Sequence, residues 1–181
     1  MKTRHEVRDP LYGFIAFDSD DRRLIDSRPV QRLRDIHQLA MTYEVYPSAT
    51  HRRFEHSLGV MELATRAFDS VFAERNMSDE VRHRLQPELN ERGREYWRRV
   101  LRIAGLLHDV GHLPFSHAAE KELLPAGWTH ERITADIIRY SEIAGILDDE
   151  RPPVVPADVA DVAWDLRKRS RVDPPPSISP L

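Results

Sequence analysis

Apolar residues recur along most of the chain with the 3.6-residue period of helices rather than the alternation of strands. From about Phe54 to Glu74 they form two stripes, Leu58, Met61, Thr65, Phe68 and Phe72 on one and Val60, Leu63, Ala67 and Val71 on the other, which predicts a helix packed on both sides. The second stripe continues backwards by steps of four and three to His56 and Arg53, so two polar groups point with core-facing residues. A second run, from about Arg94 to His112, places Val100, Leu101, Ile103, Ala104, Leu106 and Leu107 so densely that hardly any polar face remains, the pattern of a central helix. Pro114 disfavours helical geometry at Leu113, which predicts an end near His112 and a new helix through AAEKELL capped by Ser116. HERITADIIRYSEIAGIL reads as one helix with Ile133, Ile137 and Tyr140 along a face, and PADVADVAWDLRKR as another with Val159, Val162, Ala163 and Leu166.

Towards the N-terminus, Pro29 is well placed to start a helix carrying Val30, Leu33, Ile36 and His37. Before it, DPLYGFIAFDSDDRRLID mixes branched and aromatic residues with turn formers and predicts a short hairpin or extended lead-in. YPSATHRR reads as a loop, and MSDEVRHRLQPELNERGREYW as a short exposed helix and a connection. The fold class is therefore all-α with a short N-terminal β-hairpin, arranged as a single domain over residues 1–170 and followed by an extended proline-rich tail at 171–181.

Composition narrows the chemistry. With 27 Lys and Arg against 30 Asp and Glu, the net charge of -3 supplies no global attraction to nucleic acid or an anionic membrane, so any anion site must be local. The absence of cysteine removes disulfides and thiolate metal sites and leaves histidine and carboxylate as the strong ligands. No N-terminal signal region and no run long enough to span a bilayer is visible, and the expectation is a cytoplasmic protein with no membrane contact.

GLLHDVGHLPFSH, residues 105–117, holds three of the nine histidines and Asp109 within a mostly apolar stretch. Imidazoles and a carboxylate are costly to bury unless something pairs with them. His108 follows Leu101 and Ala104 at helical spacing and should enter the core, with Asp109 turned from it by roughly 100 degrees. Both can reach an ion in a groove beside the helix if another helix supplies the opposite ligand, and His56 on its buried stripe is the natural candidate. Two imidazoles and a carboxylate suit a borderline or hard divalent ion with positions left open for water or phosphate oxygens. Arg53, His112, His117 and His130 lie beside these ligands in sequence or at helix ends, where phosphates are commonly held. HDVGH also invites comparison with the zinc-peptidase pattern H-E-x-x-H, but the acid is shorter and a glycine and a helix end follow at once.

HRRFEHSLGV, LLHDVGHLPFSH and THERI, in that order, resemble the HD superfamily of metal-dependent phosphohydrolases. Together with DPLYGFI and PVQRLRDIHQLAMTYEVYP they resemble more narrowly its deoxynucleoside triphosphate triphosphohydrolase branch, over nearly everything from Asp9 to Ile138. The resemblance implies a compact helical fold in which His56, His108 and Asp109 hold a divalent ion, whether manganese, magnesium, iron, cobalt or zinc. It implies that Arg53, His112, His117 and His130 hold substrate phosphates, one of the histidines serving as general acid, and that Gln38 contacts the sugar. The reaction implied releases a deoxynucleoside and inorganic triphosphate. The family's last ligand, an aspartate in a D-x-D-R-x-D-Y-like segment, has no counterpart between Asp136 and Leu181; Asp148, Asp149, Asp158, Asp161, Asp165 and Asp173 are nominal substitutes on more plausibly solvated positions. A truncated or split chain, completed by a C-terminal partner or within a homo-oligomer, is the expectation. The competing functions are a phosphodiesterase or nuclease acting on other nucleotides or nucleic-acid ends, and a non-catalytic fragment that binds nucleotide or a partner chain.

Overall fold

The computed structural model describes residues 3–85 and 90–164. The N-terminal hairpin forms as expected: β1 (His5–Asp9) and β2 (Gly13–Phe17) pair antiparallel with Val7 opposite Ile15. The turn is held by Asp9, whose Oδ1 accepts from the Leu11 and Tyr12 nitrogens, and it closes through Gly13 at φ 77°, a conformation glycine adopts without strain. Ile15 is fully buried and anchors the hairpin to the core.

The next stretch differs from the sequence expectation. Ser19–Ile25 is a helix, α1, started by a capping box in which the Asp18 side chain accepts from Asp20 and Asp21 while Asp21 reaches back to the Asp18 nitrogen. At seven residues it is too short to display a period, so its cap was the only local signal. The helix announced by Pro29 is shorter than its apolar spacing suggests: α2 (Arg28–Gln31) tightens into a 3-10 turn at Arg32–Asp35 and stops at Ile36, which is extended. His37 instead bridges Arg52, and the Gln38 nitrogen donates to the His51 carbonyl, so backbone hydrogen bonds are satisfied across the loop rather than along a helix.

The core is built on α3 (Arg53–Val71) and α5 (Glu91–Leu107), which pack against each other, with the exposed helix α4 (Asp79–Leu85) between them in sequence. Gly105 permits the approach, since a Cβ there would stand 3.1 Å from the Val60 carbonyl oxygen. Only one face of α3 is buried, through Phe54, Ser57, Leu58, Met61 and Thr65. From Leu63 onwards the expected second packed stripe is solvent-facing, with Leu63 at 52% and Val71 at 61% exposure; its residues share a face, but Leu63, Ala67 and Val71 are all exposed.

α5 ends at Leu107 and not near His112. Pro114 is not the cause. Residues 108–111 form a turn clasped by Thr134, whose hydroxyl accepts from the Gly111 nitrogen and donates to the His108 carbonyl. Helix α6 (Ser116–Leu123) follows, and Ser116 is its first residue rather than its cap; the cap position is Phe115 in the left-handed region. The long helix expected over residues 130–147 is two, α7 (His130–Tyr140) and α8 (Glu142–Asp149), because Ser141 turns extended and its hydroxyl caps the second at the Ile143 nitrogen. The buried face of α7 is Thr134, Ala135 and Ile138, and Tyr140 points outward at 80% exposure. α9 (Pro156–Ala163) packs on α5 and α7 through Val159 and Ala160, while Val162 is 39% exposed. Leu166 and the tail at 171–181 lie outside the described residues.

Buried charges tie α1, α5 and α8 together. Asp21 accepts from Arg102 at 2.9 Å and from Arg99, and Arg99 also pairs with Glu150 at 2.7 Å, so ions that would be costly to bury alone are mutually neutralised. Among the described residues no helix is long and apolar enough to cross a membrane.

Candidate metal centre

Just past the end of α5, His108 keeps helical dihedrals (φ -56°, ψ -28°), and together with Asp109 in the same turn it meets His56 in the first turn of α3. His56 Nε2 lies 3.3 Å from His108 Nε2, and Asp109 lies 3.4 Å from His108 through Oδ1 and 3.8 Å from His56 through Oδ2. One ligand atom from each residue falls within 4.8 Å of the others. His108 is less deeply placed than its spacing suggests: its side chain keeps 27% of its exposure.

These residues fit a divalent cation on their own geometry. His108 Nδ1 lies 2.8 Å from the Gly105 carbonyl oxygen, which can only accept, so the proton resides on Nδ1 and the Nε2 lone pair faces the cluster. Burial, reinforced by His108, lowers the His56 pKa against the pull of Asp109, which favours the neutral ring a metal requires. Burial alone would raise the Asp109 pKa, but His108, Arg53 and His112 outweigh it and hold the carboxyl below its usual range, and therefore ionised. Among the described residues the cluster has three members. Asp149 pairs with Arg23, Asp158 accepts from Tyr96 and Asp161 accepts from Arg139, so these acids are engaged elsewhere; Asp165 and Asp173 lie outside the described residues.

Arg53 is the first residue of α3 and only 4% exposed. Its Nη1 donates to Asp109 Oδ2 at 2.5 Å and its Nη2 to Ser116 Oγ at 2.8 Å. In this arrangement it orients the carboxylate and ties α3 to α6. The other Asp109 oxygen, Oδ1, is 3.4 Å from His112 Nε2, and the His112 ring stacks on His130 at 3.8 Å. His112 is 3% exposed, and burial followed by the nearby Arg53 charge pushes its pKa down to about 3, so the ring is neutral. His130, the first residue of α7, places Nδ1 2.7 Å from Glu120 Oε2. His117 stands at the mouth with its side chain 69% exposed and Nδ1 3.5 Å from the same oxygen. His117, Glu120 and His130 also bring their ligand atoms within 4.8 Å of one another.

An open pocket of about 620 Å³ runs along this array. Gln38, Arg53, His56, Asp109, His112, His117 and His130 all line it, and His108 is the one predicted site residue that does not. Gln38 Oε1 is buried without a hydrogen-bond partner among the described residues. Two residues that sequence reasoning passed over belong to the site. Glu120 had a signal, its spacing of three from His117 on one helix. Arg32 had none: it donates to the carbonyls of Val110 and His112 from a distant segment and holds the turn that carries Asp109. The arrangement is not that of H-E-x-x-H: α5 ends before His108, and among the described residues the ligand cluster joins His108 to His56 and Asp109 rather than to His112.

A model of the HD domain family matches residues 53–173. The chain is 42% identical over 135 residues to the deoxynucleoside triphosphate triphosphohydrolase SAMHD1 of Bos taurus, covering 72% of this chain and 21% of that protein. It is 40% identical over 152 residues to the SAMHD1 homolog of Dictyostelium discoideum, covering 82% and 26% respectively. Among solved structures it resembles a hypothetical protein from Aquifex aeolicus with a TM-score of 0.60 and 40% identity, over 82% of this chain and 34% of that one. The chain thus spans about a fifth to a quarter of the length of these curated relatives.

Proposed function

The chain belongs to the HD superfamily of metal-dependent phosphohydrolases and is related to its deoxynucleoside triphosphate triphosphohydrolase branch, and from that premise we propose that it hydrolyses deoxynucleoside triphosphates at the α-phosphate. The observation that carries the reading is that Asp109 stands within 3.8 Å of His56, His108 and His112, joining the candidate ligand cluster to the pocket that His112, His117 and His130 line. His56, His108 and Asp109 would hold the cation. When bound, a divalent cation there supplies charge stabilisation at phosphoryl oxygens and a nucleophilic water at neutral pH.

The chain's own groups account for the remaining needs. Arg53 fixes Asp109 and brings the guanidinium charge to the pocket wall, where it favours a polyanion. Neutral His112, stacked on His130, offers an N–H rather than a transferable proton. His130 is held by Glu120 with its ring against His112, a posture suited to binding phosphate oxygens. His117 is the accessible imidazole, backed by the same carboxylate, and is the residue proposed as general acid. Water adds to the α-phosphorus and gives up a proton to solvent, the bond to the 5′-oxygen breaks, and that oxygen takes a proton from His117, which regains one from solvent, while Arg53 and the histidines hold the triphosphate. Gln38 lines the pocket with its Oε1 buried and without a hydrogen-bond partner among the described residues, which supports the proposed contact with a sugar hydroxyl.

The three-member ligand cluster favours a second reading, in which a complementing chain or another copy supplies a further carboxylate. One experiment addresses both. The purified chain is supplied in turn with manganese, magnesium, iron, cobalt and zinc and assayed on deoxynucleoside triphosphates and on phosphodiesters, with metal content and molecular mass measured on the same samples. Triphosphate and deoxynucleoside as paired products are expected. Turnover of phosphodiesters alone would replace the substrate, and metal binding without any turnover would favour the completed-by-partner reading.

A further inference from the structure

Phe115 holds a conformation that burial does not repay. Its φ of 67° and ψ of 10° lie in the left-handed region, which glycine or asparagine enters readily and a bulky side chain does not. Ser116 follows at φ 53°, and its hydroxyl is thereby delivered to Arg53 Nη2 at 2.8 Å. That bond accounts for the serine. It does not account for an aromatic residue before it, since Phe115 remains 56% exposed while lining the pocket. Strained residues of this kind gather at ligand clamps, where a bound molecule supplies what the fold alone lacks.

The lining shows what that molecule's other end must be. His56 and Asp109 of the candidate ligand set, Arg53 and the three histidines share the lining with the apolar Leu39, Ala40, Phe115 and Ala118. Resting on the nucleotide reading above, we infer that Phe115 contacts the substrate directly, its ring forming the face on which the nucleoside end lies while the phosphates occupy the histidine end. Every base carries a π-face, so such a contact adds affinity without selecting among bases.

The test compares Phe115→Gly with Phe115→Trp. Glycine accepts the backbone conformation, so the first variant should melt at or above the temperature of the parent protein, which excludes misfolding as the cause of any effect. Loss of an aromatic–base stack is expected to raise KM for deoxynucleoside triphosphates on the order of tenfold in Phe115→Gly, with the effect on KM rather than kcat, while Phe115→Trp stays within about twofold. Inhibition by inorganic tripolyphosphate, which has phosphates and no nucleoside, should be the same in all three proteins. A KM in Phe115→Gly within about twofold of the parent's overturns the inference. So does an equal loss of tripolyphosphate inhibition, which would place the effect at Arg53 through Ser116. If the parent protein turns over no deoxynucleotide, the substrate reading fails separately, and calorimetric binding of a deoxynucleotide against tripolyphosphate then decides Phe115. A loss confined to the nucleotide sustains the contact; equal binding, or no nucleotide binding by the parent, removes it.

Discussion

His112 shows how far a single side chain can be from what its residue type suggests. Histidine ordinarily titrates near 6.5, but burial, reinforced by the Arg53 guanidinium, lowers this one to about 3. The folded protein therefore binds that proton more weakly than the unfolded chain. Stability associated with His112 is complete above about 6.5 and declines as the pH falls from there towards 3. Asp109, whose pKa is also lowered, withdraws stability in the same direction at the acid end, below the usual carboxylate range. In chelator-treated protein the melting temperature is expected to drop between neutral pH and about 4.5, and His112→Asn should flatten the slope. Parallel pH profiles for the two proteins would show that His112 is not the group responsible. The sequence marked His112 as a site residue but could not distinguish a proton donor from a buried neutral ring, because that depends on Arg53, His130 and Asp109 arriving from elsewhere.

Among the elements, the decisive contact is between the 108–111 turn and α7. A Cβ on Gly111 would overlap the His130 carbonyl oxygen and stand 2.5 Å from the Thr134 nitrogen, both backbone atoms that cannot swing away. Gly111→Ala is expected to cost about 3 kcal/mol in urea unfolding and to weaken metal binding, because α7 must move off the turn that presents His108 and Asp109. A loss below about 1 kcal/mol would mean that the two segments separate more easily than the close fit implies. The sequence contains the glycine and the threonine, yet local rules place the helix end at Pro114, the nearby breaker. Local rules weigh only neighbours in the chain, and here the hydrogen bonds that stop α5 come from a residue on another helix. The same reason explains the break at Ser141 and the shortened α2, where caps and a loop bridge outrank apolar spacing.

For the molecule as a whole, cation binding and folding should be one equilibrium, since His56 and His108 come from segments that only the fold brings together. At a concentration about a hundredfold above the dissociation constant, a bound ion adds about 2.7 kcal/mol, or about 5–10 °C in melting temperature for a chain of this size. The shift should vanish with a chelator and in His108→Ala. An undiminished shift in His108→Ala would place the ion at other ligands, such as His117, Glu120 and His130.

What the sequence determined by itself is the helical class with its N-terminal hairpin, the identity of the polar residues that gather at the pocket and the family they indicate. These follow from periodicity and from spacing within short segments, properties carried by neighbouring residues. Tertiary structure alone decided which stripe of α3 is covered, where α5 stops, that Arg53 binds Asp109, and that Glu120 and Arg32 serve the site. Each of those depends on which distant atom fills the remaining hydrogen bond or covers the remaining face, and only the packed chain specifies that.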